Sequence, residues 1–147
     1  MREILFRGKT EGGRWAYGSL ILSGKYCCIL EDEGKVHPTD YPYLDGDLGV
    51  IDGKATPVLP ETVGQFTGLV DASGDRIFEG DVCKHSHLFS RTDIYEITFG
   101  NGTFSTRDIH RQEHYGTSFD DNEFGVDPSW LDIIGNIHDN PELLEIK

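Results

Sequence analysis

The sequence predicts a mainly β protein: a small SH3-like barrel in the C-terminal two-thirds, an N-terminal β-meander, and few short helices. Three observations carry that expectation. Turn formers cluster at Asp71-Ala72-Ser73-Gly74 and again at Glu79-Gly80-Asp81. Two tight turns within about a dozen residues leave no room for a helix of normal length. Apolar runs such as Ile77-Phe78 are short, and 18 glycines and 6 prolines among 147 residues favour many brief connections over long helices.

Taken in order, Ile4 to Phe6 reads as a first strand and Arg14 to Leu22 as a second, with Trp15 and Tyr17 on one face. Ser23-Gly24 reads as a two-residue turn into Tyr26 to Leu30. The segment from Glu31 to Asp47 contains His37-Pro38, Tyr41-Pro42 and Asp45-Gly46, too many breakers for a helix, and is expected to be an irregular loop. Val50-Ile51 is a short strand ending at Asp52-Gly53. Pro57 to Pro60 leads into the signature hairpin, and marks either the division between a meander and loop over 1–56 and a barrel over 57–147 or a junction within one continuous domain.

Within that hairpin, Phe66 and Leu69 flank Thr67-Gly68, and the turn chemistry of Asp71 to Gly74 follows. Asp71 can accept a bond from backbone two residues on, and Gly74 can take a positive φ. The Asp81 side chain is suited to bonding nearby amides as the next strand, Val82 to Lys84, begins. His85 to Arg91 reads as a loop. Ile94 to Phe99 alternates apolar with polar residues, turns at Gly100-Asn101-Gly102, and returns as Thr103 to Thr106, a second hairpin. Gly116 to Asp127 is acidic and glycine-containing, the composition of a mobile excursion. Pro128 to Leu131 suits one helical turn before a last strand, Asp132 to Ile137, and Asn140 as cap with Pro141 starts a short helix through Leu144.

Val63-Gly64-Gln65-Phe66-Thr67-Gly68-Leu69, then Gly74, then Ile77-Phe78-Glu79-Gly80-Asp81-Val82, resembles the signature of the YopX family of phage and prophage proteins. The closing run, Ile134-Gly135-Asn136-Ile137-His138-Asp139-Asn140-Pro141-Glu142-Leu143-Leu144, is similar to the family's end. Met1 to Gly8 and Trp15 to Leu20 are similar to its start. The resemblance spans the chain, with a weakly matched middle between about Lys84 and Trp130. It implies a mostly β fold and a phage or prophage origin in a bacterial cytoplasm, with no established activity. No catalytic or ligand residue carries over.

Candidate chemistry is sparse. His85-Ser86-His87 and His110-Arg111-Gln112-Glu113-His114 are the clustered potential metal ligands, and His110 and His114 fall one helical turn apart if that segment is helical. Asp108 or Glu113 could add an oxygen, which defines a metal-dependent enzyme as one alternative. The match to HExxH nevertheless fails, because Arg111 follows His110. No serine sits in a G-x-S-x-G elbow, and Cys83 near His85 is no catalytic pair without spatial alignment. Paired acids, Asp120-Asp121 or Glu79 with Asp81, arise readily by chance among 26 acidic residues. No glycine-rich phosphate cradle is present. Cys27, Cys28 and Cys83 are odd in number and lack CxxC spacing, so reduced structural cysteines are expected.

A formal charge of −13 repels a phosphate backbone at long range, and Arg107, His110 and Arg111, the nearest thing to a basic patch, are flanked by Asp108 and Glu113. Phe99 and Phe104 flank a hairpin tip, with Tyr95 on the same strand, and define a second alternative, a small-barrel binder of single-stranded nucleic acid. Stacking platforms work with a cationic groove, so these rings are expected to fill the barrel and its rim instead. No apolar run approaches a membrane span, and no signal peptide is evident, which predicts a soluble cytoplasmic protein. The expectation is thus a non-enzymatic accessory protein without cofactor, metal or membrane attachment. It would bind a basic protein partner through an acidic surface, with Glu31 to Asp47 and Gly116 to Asp127 as contact regions. Exposed strand edges favour self-association.

Overall fold

The computed structural model describes residues 2–31, 55–85, 94–109, 114–115 and 127–145. The chain divides into two compact units, Met1–Gln65 and Phe66–Lys147. Both are built of antiparallel strands, as the turn-rich sequence requires.

The first unit contains β1 (Phe6–Lys9), β2 (Trp15–Ser23), β3 (Tyr26–Glu31), β4 (Ala55–Pro57) and the start of β5 (Gly64–Val70). Their order is β4-β3-β2-β1-β5. Period-two alternation on β2 buries Ala16 and half-buries Leu20, which meet Ile29, Val58, Phe6, Cys27 and Val63 in a small core. Pro60–Thr62 forms a 3-10 turn before β5. Thr62 ties it down: its Oγ1 accepts from Lys9 N at 2.8 Å and donates to the Leu59 carbonyl at 2.6 Å.

Two expected boundaries shift here. The first strand begins at Phe6 rather than Ile4, because pairing starts where Phe6 meets Gly18 and can join the core. Ile4 stays exposed. The β2–β3 turn is Gly24-Lys25 rather than Ser23-Gly24, since Ser23 still pairs with Tyr26. The expected strand at Val50-Ile51 and the loop after Glu31 lie outside the described residues.

The second unit continues β5 into β6 (Arg76–Phe78), β7 (Asp81–His85), β8 (Ile94–Gly100), β9 (Thr103–Asp108), β10 (His114–Tyr115) and β11 (Leu131–Asn136). Five strands form a sheet of order β10-β9-β8-β7-β11. Its core is Ile77, Cys83, Tyr95, Ile97 and Leu131, with Ile133 packed against them. The β8–β9 hairpin closes as expected: Gly100 pairs with Thr103, leaving Asn101-Gly102 as the two-residue turn. Both take positive φ, 51° and 79°, the primed geometry that matches the twist of the strands.

The five-strand order has two ends, β10 and β11, and no closed barrel is seen among the described residues, so the SH3-like detail of the expectation is not confirmed. The helical turns at Pro128 and Pro141 are both present, as single 3-10 turns over Pro128–Trp130 and Pro141–Leu144. Asp127 caps the first, accepting from Ser129 N at 2.9 Å. Asn140 does not cap the second with its side chain. Its Oδ1 instead accepts from Asn136 N at 3.3 Å, stitching the turn back onto β11.

Candidate functional site

The signature hairpin is the first place to look for chemistry, and its polar groups are used by the backbone. Asp71 is buried, at 5% exposure. Its Oδ1 accepts from Ser73 N and Asp75 N, both at 2.9 Å, and its Oδ2 accepts from Ile133 N at 3.1 Å. Gly74 takes a φ of 85° to complete the turn. The Ala72 amide donates to the Leu131 carbonyl at 2.8 Å. One carboxylate thus shapes the β5–β6 turn and fastens it to β11, using acceptor capacity that a ligand would otherwise need.

Asp81 repeats the pattern one turn later. It is buried, and its Oδ2 accepts from Phe78 N at 2.7 Å across the Glu79-Gly80 turn. Gly80 N donates to the Ile97 carbonyl, and Ile137 N to the Gly80 carbonyl, so the turn also joins β8 and the end of β11. Phe66 and Phe78 pair at 5.6 Å between ring centroids, with the Arg76 guanidinium 5.7 Å from the Phe66 ring. Asp71, Asp81, Phe66 and Phe78 are thus used by turns and packing.

The cysteines are three free thiols. Burial pushes the Cys83 thiol well above the ordinary range, and the negative charges of Asp81, Asp71 and Asp132 push the same way. A thiol so disfavoured as thiolate is a poor nucleophile. Burial raises Cys27 too, followed by Cys28 and Glu61.

Two of the histidines discussed above, His85 and His114, lie in described strands. His85 sits against Trp130, with ring centroids 5.6 Å apart. His114 lies in strand β10 opposite Arg107, so the helical spacing to His110 that the metal alternative required is not available at that end. His110, like Ser86 and His87, is outside the described residues. Among the described residues no group of three or more His, Cys, Asp or Glu is placed to hold a metal.

The aromatic residues of the second hairpin separate. Tyr95 enters the core, whereas Phe99, 52% exposed, sits at the tip against Phe104 with centroids 5.0 Å apart in an edge-on arrangement. The one basic residue of that hairpin, Arg107, is bonded to Glu96 at 2.6 Å. No cationic groove accompanies these rings within the hairpin.

Cations and aromatic rings meet instead on the first unit, a combination overlooked in the sequence. The Arg7 guanidinium lies 4.8 Å and the Lys9 ammonium 5.9 Å from the Trp15 ring. Lys25 stands 5.9 Å from the Tyr26 ring. The signal was legible: Arg7 and Lys9, and Trp15 and Tyr17, each alternate with period two, and paired strands bring such rows together. Of the expected contact regions, 32–47 and 116–126 lie outside the described residues.

Among the described residues no helix is long and apolar enough to cross a membrane. The chain is similar in fold to a protein of Enterococcus faecalis, EF1440, whose crystal structure superposes with a TM-score of 0.58. The two are 23% identical, over 99% of this chain and 100% of the other. No match is found among the curated proteins. The family model described as YopX protein matches residues 16–145, most of the chain, and with the signature hairpin in place this protein belongs to the YopX family.

Proposed function

We propose that the protein is a non-enzymatic accessory protein of phage or prophage origin that binds a basic protein partner through the acidic surface of its second unit. One observation carries the reading: the charge is unevenly divided. Residues 66–147 hold 16 acidic and 6 basic side chains, a formal −10, against 10 and 7, a formal −3, in residues 1–65. Asp71, Asp81 and Asp108 are buried within the second unit, and Glu96 is paired with Arg107. Asp139, Glu142 and Glu145 remain exposed around the last turn. A field of one sign steers association with an oppositely charged partner and suppresses contact with like-charged ones.

The test is retention of a partner from extracts of phage-infected cells, at about 0.05 M and about 0.5 M salt, where screening lengths fall from over 10 Å to a few ångströms. The expected result is retention at low salt, loss at high salt, and loss at both salts for Asp139→Lys/Glu142→Lys/Glu145→Lys. Retention indifferent to both salt and the triple substitution contradicts the reading.

A further inference from the structure

A strand left unpaired along one side presents a row of amide and carbonyl groups to any extended chain. The strands at the ends of the two sheet orders offer little of this among the described residues. β4 has three residues and ends in Pro57, β6 has three, and β10 has two. β11 is longer, but its outer side is occupied: the Leu131 carbonyl accepts from Ala72 N at 2.8 Å, and Ile133 N donates to Asp71 at 3.1 Å. The outer half of β2 has no such cover.

Pairing of β2 with β1 runs from Trp15 to Gly18 and stops, while pairing with β3 continues to Ser23. The bond from Thr10 N to the Arg14 carbonyl extends the β1–β2 ladder, so even-numbered residues of β2 turn their backbone groups toward β1. The Gly24-Lys25 turn sets the same parity from the other side. Ser23 and Tyr26 close that hairpin, so odd-numbered residues bond to β3. Beyond Gly18, the N–H and C=O groups of Leu20 and Leu22 therefore point past the end of β1, and no described residue pairs with them there. The edge also lacks the usual guards: Ser19-Leu20-Ile21-Leu22-Ser23 has no charge and no proline, and Leu22 is 68% exposed.

We propose that this edge pairs antiparallel with the same edge of a second copy of the chain, about a two-fold axis at Ile21. The segment is its own complement. With Ile21 opposite the partner's Ile21, Leu20 meets the partner's Leu22, Leu22 meets the partner's Leu20, and Ser19 meets the partner's Ser23. Open residues then face open residues, giving about four N–H···O=C bonds. A register centred on Leu20 gives about two, because Gly18 is already paired with Phe6, and one centred on Leu22 runs into the Gly24-Lys25 turn. Leu20 lies against the first-unit core, and Leu22, two residues on, shares its face, so pairing extends that apolar face across the axis. A charged peptide would find no opposite charge on this edge, whereas a second copy matches it on the backbone and on both faces. The contact is short, which sets a dissociation constant of about 0.1 mM.

This inference is independent of the acidic-surface reading and opposite to it in salt dependence. Two copies of formal charge −13 repel each other, so screening strengthens their association. The test is sedimentation equilibrium of the full chain from about 0.01 to 1 mM, at about 0.05 and 0.5 M salt. The expected result is a monomer–dimer equilibrium that tightens at the higher salt. Ile21→Lys and Ile21→Glu should each weaken it about tenfold by setting like charges opposite each other at the axis, and an equimolar mixture of the two should recover it. Ser19 and Ser23 are exposed, so substitution there leaves the fold alone. Ser19→Lys/Ser23→Glu should tighten the dimer and Ser19→Lys/Ser23→Lys weaken it, each about tenfold. A monomer at every concentration overturns the proposal. So does a dimer that none of these substitutions alters, which places the contact elsewhere, or a dimer on which the two serine variants act alike, which removes this register.

Discussion

At the scale of single residues, burial and pairing set what several ionisable groups of this protein can do. Cys83 is the clearest case. Its thiol is enclosed by Ile77, Tyr95, Ile97 and Leu131, and burial together with nearby carboxylates opposes the thiolate. Thiol-specific labelling of the native protein should modify Cys83 on the order of a hundredfold more slowly than the half-buried Cys28, with the difference lost in denaturant. Equal native rates would contradict the packing described. Glu31 illustrates a surface role: bonds from Arg14 and Thr56 Oγ1 hold its carboxyl below the ordinary value of 4.5. A depressed folded-state value contributes stability that is present above 4.5 and lost as pH falls through the depressed value. Melting temperature followed from neutral pH into acid should therefore fall less steeply in Glu31→Gln than in the natural protein. Identical acid profiles would remove the contribution.

At the scale of elements, the hairpin formed by β5, β6 and β7 organises the second unit. Asp71 serves three backbone donors, one of them 62 residues away on β11. Asp71→Ala leaves those amides without their acceptor and should cost about 3 kcal/mol, a drop of roughly 10 °C in melting temperature. Asp71→Asn keeps one acceptor oxygen and should cost less. A melting temperature for Asp71→Ala within about 2 °C of the natural protein would mean that the turn does not depend on this carboxylate. Much of this element was readable beforehand. Asp71, Gly74 and Asp81 each have a local backbone role that residue type and spacing disclose, and the Gly100-Asn101-Gly102 turn is equally local. The long-range half was not readable: nothing in the residues around Asp71 says that its second oxygen reaches Ile133. Asn140 failed for a related reason, since cap chemistry was judged from its neighbours while its side chain bonds back to Asn136. Closure into a barrel, too, depends on pairing between distant strands, and alternation within each strand does not determine it.

At the scale of the whole molecule, charge is the property that composition states and also obscures. A total of −13 argued against any nucleic-acid contact, because a sum discards position. Position along the chain shows what the sum hides: residues 66–147 carry a formal −10 and residues 1–65 a formal −3. Family membership, with the fold shared by the Enterococcus faecalis protein, concerns the scaffold. On this account the signature hairpin maintains the fold, and the proposed recognition is sought on the acidic surface of the second unit. The most direct measurement for the central claim is partner retention by the natural protein and by Asp139→Lys/Glu142→Lys/Glu145→Lys across about 0.05 to 0.5 M salt. The account predicts salt-sensitive retention that the triple substitution abolishes. Retention unchanged by salt and by the three lysines would contradict it.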